Sequence, residues 1–265
     1  MPLEKVIATL REFKAMGAAA ITITGGGEPT LHPDFSEILY RADSLRLQTG
    51  LVTNGALLDT VLVKSLRLLT WLRVSVSDDR NVEELLSVLS KVRKGIPAIK
   101  GWAFSYVLTA KPDYDKLALV VKYANYHKFT HVRIVSDLLD TENVPDMAVV
   151  RQELRSRIGI KDSLVIYQGR KDHTVGAKKC WISLLKPMIG TNGNIYPCCG
   201  IQYAMDPPSL DFEPRMQMNA PGKDWKEMFN KQIPFDGSHC TKCYYGDYNA
   251  ALDMVMTPLE HEEFV

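Results

Sequence analysis

Apolar positions in the first half of the chain alternate between helical spacing and short β-branched or apolar runs. Over residues 3–16, Val6, Ile7, Leu10, Phe13 and Met16 recur at the spacing of one helical face, and Gly17 supplies a C-terminal stop. Residues 20–24 are short, β-branched and run into three glycines, which predicts a buried parallel strand opening into a loop. The alternation then repeats: helix 35–43, strand 47–53 ending at Asn54-Gly55, helix 57–69, and strand 72–76 before the polar loop Ser77-Asp78-Asp79-Arg80. Helix 82–94, strand 102–108 before Lys111-Pro112-Asp113, helix 114–127 and strand 132–135 continue it. Short connections, with each polar loop at the carboxyl end of a strand, predict an α/β fold with parallel strands and ligand chemistry at those ends.

After about residue 140 the pattern changes. A helix is expected over 143–157 and a short strand over 164–167, and the remainder is rich in loops, Gly and Pro. There is no internal repeat and no low-complexity tract. The predicted organisation is a β/α barrel portion over 1–140, a connecting helix and strand over 141–179, and a cysteine-bearing domain over 180–265, with the metal-stapled region starting near Lys171.

Composition narrows the class. With 265 residues, 46% hydrophobic and 24% charged, the chain can bury a full core. A formal net charge of +1 provides no global field for nucleic acid or an anionic membrane, so neither is expected as a partner. No apolar run is long enough to span a bilayer, and Met1-Pro2-Leu3-Glu4-Lys5 lacks the order of a signal peptide, so a cytoplasmic location is expected. Cysteines are reduced in that compartment, which favours metal ligation over disulfides.

All five cysteines lie at or after position 180: Cys180-x17-Cys198, Cys199 adjacent, then Cys240-x2-Cys243. The spacing suits thiolates closing on one metal centre, and by itself permits a four-cysteine zinc staple or an iron-sulfur cluster equally. The expected ligands are Cys180, Cys198, Cys240 and Cys243. Cys199 is the alternative to Cys198, because neighbouring strand residues point to opposite faces and only one reaches the centre. Asn192-Gly193 ahead of them is a hairpin signal. His173 and His239 flank the cysteines and are read as solvated side chains. Trp102 and Tyr106 on the fourth strand are read as core packing rather than barrel lining. A second chemistry-bearing segment is Gly25-Gly26-Gly27-Glu28-Pro29, in which glycines allow close backbone approach and the proline fixes the loop's shape.

The stretch from Ile21 to Pro33, with Gly25-Gly26-Gly27-Glu28-Pro29-Thr30 at its centre, resembles the Gly-Gly-Glu-Pro motif of radical S-adenosylmethionine (radical SAM) enzymes. Leu51-Val52-Thr53-Asn54-Gly55 is similar to that family's third-strand Thr-Asn-Gly, and Leu72-Arg73-Val74-Ser75-Val76-Ser77 resembles its fourth-strand end. The resemblance implies a partial (β/α)6 barrel that here lacks its first strand. It also implies that the Gly26 and Gly27 backbone, supported by Glu28, holds the amino group of S-adenosylmethionine. Asn54 belongs to the same site, Ser75 and Ser77 lie near the ribose, and Asp113 matches a family Asn only weakly. Where Ser77 stands the family often has Asp. The cysteine segment resembles SPASM and shorter twitch auxiliary-cluster domains; with no cysteine after Cys243, the twitch-like form with one auxiliary [4Fe–4S] cluster is implied.

In that family a catalytic [4Fe–4S] cluster held by Cys-x3-Cys-x2-Cys reduces S-adenosylmethionine to a 5′-deoxyadenosyl radical that abstracts a substrate hydrogen. This sequence has no cysteine before Cys180, so those ligands are absent from it. The expectation is a sequence truncated at its start, since the strand at 20–24 would otherwise be an apolar unpaired edge; supply by another chain and divergence to another use are the alternatives. The implied partners are a peptide or small-metabolite substrate and a reductant such as a flavodoxin or ferredoxin. The competing function is that of a noncatalytic iron-sulfur or zinc protein, or a partner subunit using the barrel to bind.

Overall fold

A computed structural model describes residues 1–59, 63–96, 99–159, 162–204 and 214–257. The chain forms two compact units, Met1–Arg170 and Lys171–Val265.

In the first unit the helix α1 (Leu3–Ala15) leads into strand β1 (Ala20–Ile23), and α2 (Phe35–Ser44), β2 (Gln48–Thr53), α3 (Val63–Leu66) and β3 (Trp71–Ser77) follow. Then come α4 (Val82–Gly95), β4 (Gly101–Leu108), α5 (Tyr114–Tyr126), β5 (His131–Ser136), α6 (Met147–Ile158) and β6 (Val165–Gln168). The six strands form one sheet in the order β1-β2-β3-β4-β5-β6, every neighbouring pair parallel. The expected α/β barrel architecture is thus observed, and the strand predicted after residue 140 joins the same sheet.

Packing explains the arrangement. Leu72, Val74 and Val76 of β3 and Trp102, Phe104, Tyr106 and Leu108 of β4 are buried in one core with Leu85, Leu86 and Leu89 of α4 and Leu117, Val120 and Val121 of α5. Phe104 stacks on Phe129 with centroids 4.7 Å apart. Trp102 and Tyr106 are core residues, as read from the sequence. Because successive strand residues face opposite ways, Arg73, Ser75, Ser77, Ala103, Ser105, Val107, His131 and Arg133 share the other face. Local signals set the helix starts: the Asn81 side chain accepts the Glu84 amide at 3.1 Å and the Asp113 side chain accepts the Lys116 amide at 2.9 Å.

Two helices are shorter than predicted. Over 57–69 only Val63–Leu66 is helical among the described residues, yet Leu58, Leu66 and Leu69 all enter the core; the periodicity there reports burial from turns rather than a continuous helix. The helix predicted over 143–157 begins at Met147, because Pro145 disfavours helical geometry at Val144.

The second unit contains α7 (Ile182–Leu185), an antiparallel hairpin of β7 (Met188–Ile189) and β8 (Ile195–Tyr196), α8 (Trp225–Asn230) and α9 (Gly246–Met256). The hairpin turns at Asn192-Gly193, as the sequence predicts. Its small core is Tyr196, Ile201, Ala204 and Met216, with Met188 and Cys240 packed against it. No helix among the described residues is long and apolar enough to cross a membrane.

Candidate cofactor and metal sites

In the first unit the sequence-predicted residues gather at the carboxyl ends of β1, β2 and β3. The loop after β1 is held in a tight shape: a Cβ on Gly25 would stand 2.0 Å from the Gly27 carbonyl oxygen, so only glycine fits there. Gly26 and Gly27 are exposed. Glu28, which follows, faces inward to the protein rather than outward. Its Oε1 accepts from the Thr30 amide at 3.0 Å, the Thr30 hydroxyl at 2.6 Å and the Thr53 hydroxyl at 2.7 Å. Its Oε2 accepts from the Asn54 amide at 2.7 Å. Burial alone would raise the Glu28 pKa, but the hydrogen bonds from Thr30, Asn54 and Thr53 prevail and hold it below the ordinary carboxylate value. The carboxylate therefore fixes the glycine loop against β2 and leaves backbone groups of Gly26 and Gly27 as the surface of the loop.

Asn54, though exposed, is held by its backbone and its Oδ1. Its Oδ1 accepts the Ala56 amide at 2.8 Å, and its carbonyl accepts from Arg80 Nη1. Arg80 also brings its charge toward Glu28. Ser75 and Ser77 lie on the sheet face opposite the core, each partly buried, in register with Ser105 and Val107.

A second carboxylate clamp, which the sequence reading did not single out, joins the next pair of strands. Asp78 Oδ1 accepts from the Tyr106 hydroxyl at 2.8 Å and the Asp113 amide at 3.0 Å, and Oδ2 accepts from the Thr109 amide at 3.1 Å and its hydroxyl at 2.8 Å. Burial, then the bond to Asp78, pushes the Tyr106 phenol far up and keeps it a donor. Lys116 Nζ donates to the Asp78 carbonyl. The only sequence signal was the polar loop following β3. Asp113, the weak family match, has its side chain engaged in capping α5.

In the second unit Cys180, Cys198, Cys240 and Cys243 line one small pocket together with Gly176, Phe235 and Tyr245. Three chain segments deliver them. Cys180 pairs with Phe235 through its amide at 2.8 Å, Cys198 follows the hairpin, and Cys243 exchanges backbone bonds of 2.7 and 3.1 Å with Thr174. Gly176 donates its amide to the Cys240 carbonyl at 2.8 Å; a Cβ there would lie 1.9 Å from the Gly237 carbonyl oxygen, so glycine is required for that approach. Asn249 of α9, 2% exposed, steadies Cys180: its Oδ1 accepts the Ile182 amide at 3.1 Å and its Nδ2 points to Cys180 Sγ at 3.8 Å. Sequence reasoning missed Asn249, since a lone helical Asn carries no pattern.

Cys199 does not line the cavity. It is exposed, with Sγ 3.2 Å from the Tyr245 hydroxyl. Cys198 and Cys199 lie beyond the end of β8, so a turn, not strand pleating, separates them. Burial, then neighbouring thiols, raises the pKa of Cys180 and Cys198 and pushes Cys240 up to about 12. Such thiols deprotonate only when a cationic centre draws them. Among the described residues no group of three or more His, Cys, Asp or Glu side chains has the geometry to clasp a metal ion, so binding one here requires the four thiols to turn toward it. The chemistry of the set, four soft donors around one apolar cavity, fits a thiolate-held centre.

No protein-family model matches the sequence, and no curated protein matches it. Among solved structures, SuiB of Streptococcus suis bound to S-adenosylmethionine is similar at 17% identity and a TM-score of 0.58, over 86% of this chain and 58% of that one. SuiB bound to its precursor peptide SuiA gives 16% identity and a TM-score of 0.61 over the same shares. The chain thus spans 58% of the length of these relatives. The likeness is one of fold: a six-stranded parallel partial barrel, followed in sequence by a small region that carries the cysteines.

Proposed function

We propose that the chain is the barrel and auxiliary-cluster part of a radical SAM-type enzyme acting on a peptide or small-metabolite substrate. The observation that carries this reading is the meeting of Cys180, Cys198, Cys240 and Cys243 at one cavity while Cys199 stays outside it. These four residues would hold an auxiliary [4Fe–4S] cluster, which supplies electron transfer when bound. The backbone of Gly26 and Gly27 would meet the amino group of S-adenosylmethionine. Glu28, its oxygens engaged by Thr30, Thr53 and Asn54, positions that loop. Asn54, Ser75 and Ser77 would border the rest of the cofactor. A cytoplasmic setting, with reduced thiols, suits such a site. SuiB's precursor peptide supports a peptide as the first substrate class to try.

Reduction of S-adenosylmethionine requires a cluster whose cysteine ligands this sequence does not contain. The test is therefore S-adenosylmethionine binding and cleavage by the reconstituted chain, alone and with a polypeptide bearing a Cys-x3-Cys-x2-Cys cluster. Weak binding alone, and 5′-deoxyadenosine formation only with the second component, is expected. Cleavage by this chain alone, or no cleavage and no binding in either case, would contradict the proposal.

A further inference from the structure

Among the described residues that line the four-cysteine pocket, Asn249 carries the one carboxamide, and it is 2% exposed. A buried carboxamide costs free energy unless both of its ends find partners. The Ile182 amide can only donate, so it takes Oδ1, at 3.1 Å, and this fixes Nδ2 on the side of Cys180 Sγ, 3.8 Å away. The helix that carries Asn249 is itself tied to the cysteine's segment. One turn further along α9, Asp253 accepts the Trp181 indole N–H at 2.9 Å and pairs with Lys179 at 3.3 Å, so positions 249 and 253 of one helical face grip the chain around Cys180. At the start of α9, Gly246 lies so near Thr174 that a Cβ would stand 2.1 Å from the threonine hydroxyl oxygen. Cys180 is held from its other side as well: its amide donates to the Phe235 carbonyl at 2.8 Å, and the Phe235 amide donates to Ser183 Oγ at 3.1 Å.

We infer that Asn249 is a positioning residue of the thiolate centre, its Nδ2–H donating to the Cys180 sulfur once that sulfur is a metal-bound thiolate. A neutral thiol accepts weakly, and charge assistance tightens the same contact when the sulfur is anionic. The bond orients the sulfur and draws electron density off it, as donors behind metal ligands do. In an iron-sulfur centre this favours the more negative, reduced state over the oxidised one, so the bond raises the reduction potential. The two ends of the side chain have separable tasks: Oδ1 shapes the turn by holding Ile182, and Nδ2 acts on the sulfur. The redox consequence rests on the auxiliary-cluster reading; the hydrogen bond requires only a metal on the four thiols.

The bond is tested by nuclear magnetic resonance of the full chain loaded with a spin-active cadmium isotope and isotopically labelled asparagine. One asparagine side-chain N–H should show scalar coupling to cadmium through the hydrogen bond, and that signal should vanish in Asn249→Asp. No coupled asparagine signal, including from a chain that takes up no cadmium, overturns the proposal without recourse to any variant. The reduction potential of the reconstituted cluster reads the consequence. Asn249→Asp keeps an acceptor for the Ile182 amide and loses the donor, and Asn249→Ala loses both without adding charge. Each should lower the ratio of reduced to oxidised cluster about tenfold at a fixed potential, about 59 mV for a one-electron couple. Trp181→Phe breaks the neighbouring bond to Asp253 without a change of charge and should leave the potential where it was. An unchanged potential in Asn249→Ala, or an equal fall in Trp181→Phe, would reduce Asn249 to a structural support and overturn the inference. Should Asn249→Ala retain no iron, the cadmium coupling in the unmodified chain decides alone. A coupled signal in a chain that takes up zinc and no iron would uphold the hydrogen bond and contradict the iron-sulfur reading alone, which separates the two.

Discussion

The Glu28 carboxylate accepts the Asn54 amide at 2.7 Å, tying the glycine loop after β1 to the end of β2. Asp78 repeats the device one pair of strands later, joining the end of β3 to Tyr106 and Thr109 of the β4 end. Carboxylates of this kind shape the rim formed by the strand ends. Replacing Glu28 by Ala leaves the Asn54 amide and the Thr53 hydroxyl without their acceptor. Unfolding by denaturant should show a loss of about 1–3 kcal/mol, and any affinity for S-adenosylmethionine should fall with it.

The acid sensitivity of the first unit follows from the same bonds. Glu28 has a folded pKa below its ordinary value. Asp162 is held far below the carboxylate range by Arg155 first, against burial, then by Arg151 and Tyr167 at 2.9 to 3.1 Å. A carboxylate with a depressed folded pKa binds fewer protons folded than unfolded, so its stabilisation is complete above the unfolded value of about 4 and fades as pH falls toward the folded one. Thermal stability should therefore decline below about pH 4, and Glu28→Gln and Asp162→Asn should each flatten that decline while lowering stability at neutral pH. An unchanged slope in both variants would remove this account of the two bonds.

Tyr106 and Asp78 should be energetically coupled. Tyr106→Phe removes one hydrogen bond from the clamp and should cost about 1 kcal/mol; Asp78→Ala leaves the buried phenol unsatisfied and should cost about 2–3 kcal/mol. The double variant should cost less than the sum of the two, and strict additivity would mean that the 2.8 Å bond contributes nothing.

How far the sequence reveals this structure depends on the kind of signal. Short β-branched and apolar runs between helical periods located all six parallel strands, because the connections between them are short and polar. The end of the reading at 57–69 shows the limit, since Leu58 and Leu66 obey a helical spacing without a continuous helix to carry it. Glycine chemistry at Gly25 and the hairpin at Asn192-Gly193 were legible because backbone constraints are local. Asp78, Arg80 and Asn249 were not: each acts on a partner 26 to 67 residues away, and no local pattern marks such a pairing.

The four cysteines of the cavity and the one outside it should behave differently. Cys240→Ser with Cys243→Ser should abolish metal retention and loosen the second unit, since metal binding and folding are coupled. Cys199→Ser should retain the wild-type metal content, because that thiol faces Tyr245 and not the cavity. Protease sensitivity of the region after Lys171, compared across the variants, reports the structural part of the effect. Equal metal loss in Cys199→Ser would move the ligand assignment from Cys198 to its neighbour.

The most direct measurement is the iron, acid-labile sulfide and zinc content per chain after anaerobic purification and reconstitution, with Cys198→Ser and Cys199→Ser alongside. About four irons with matching sulfide and no zinc, lost in Cys198→Ser and kept in Cys199→Ser, is the result expected of a single auxiliary [4Fe–4S] centre. About one zinc per chain would make Cys180, Cys198, Cys240 and Cys243 a structural staple and would contradict the redox reading of this protein.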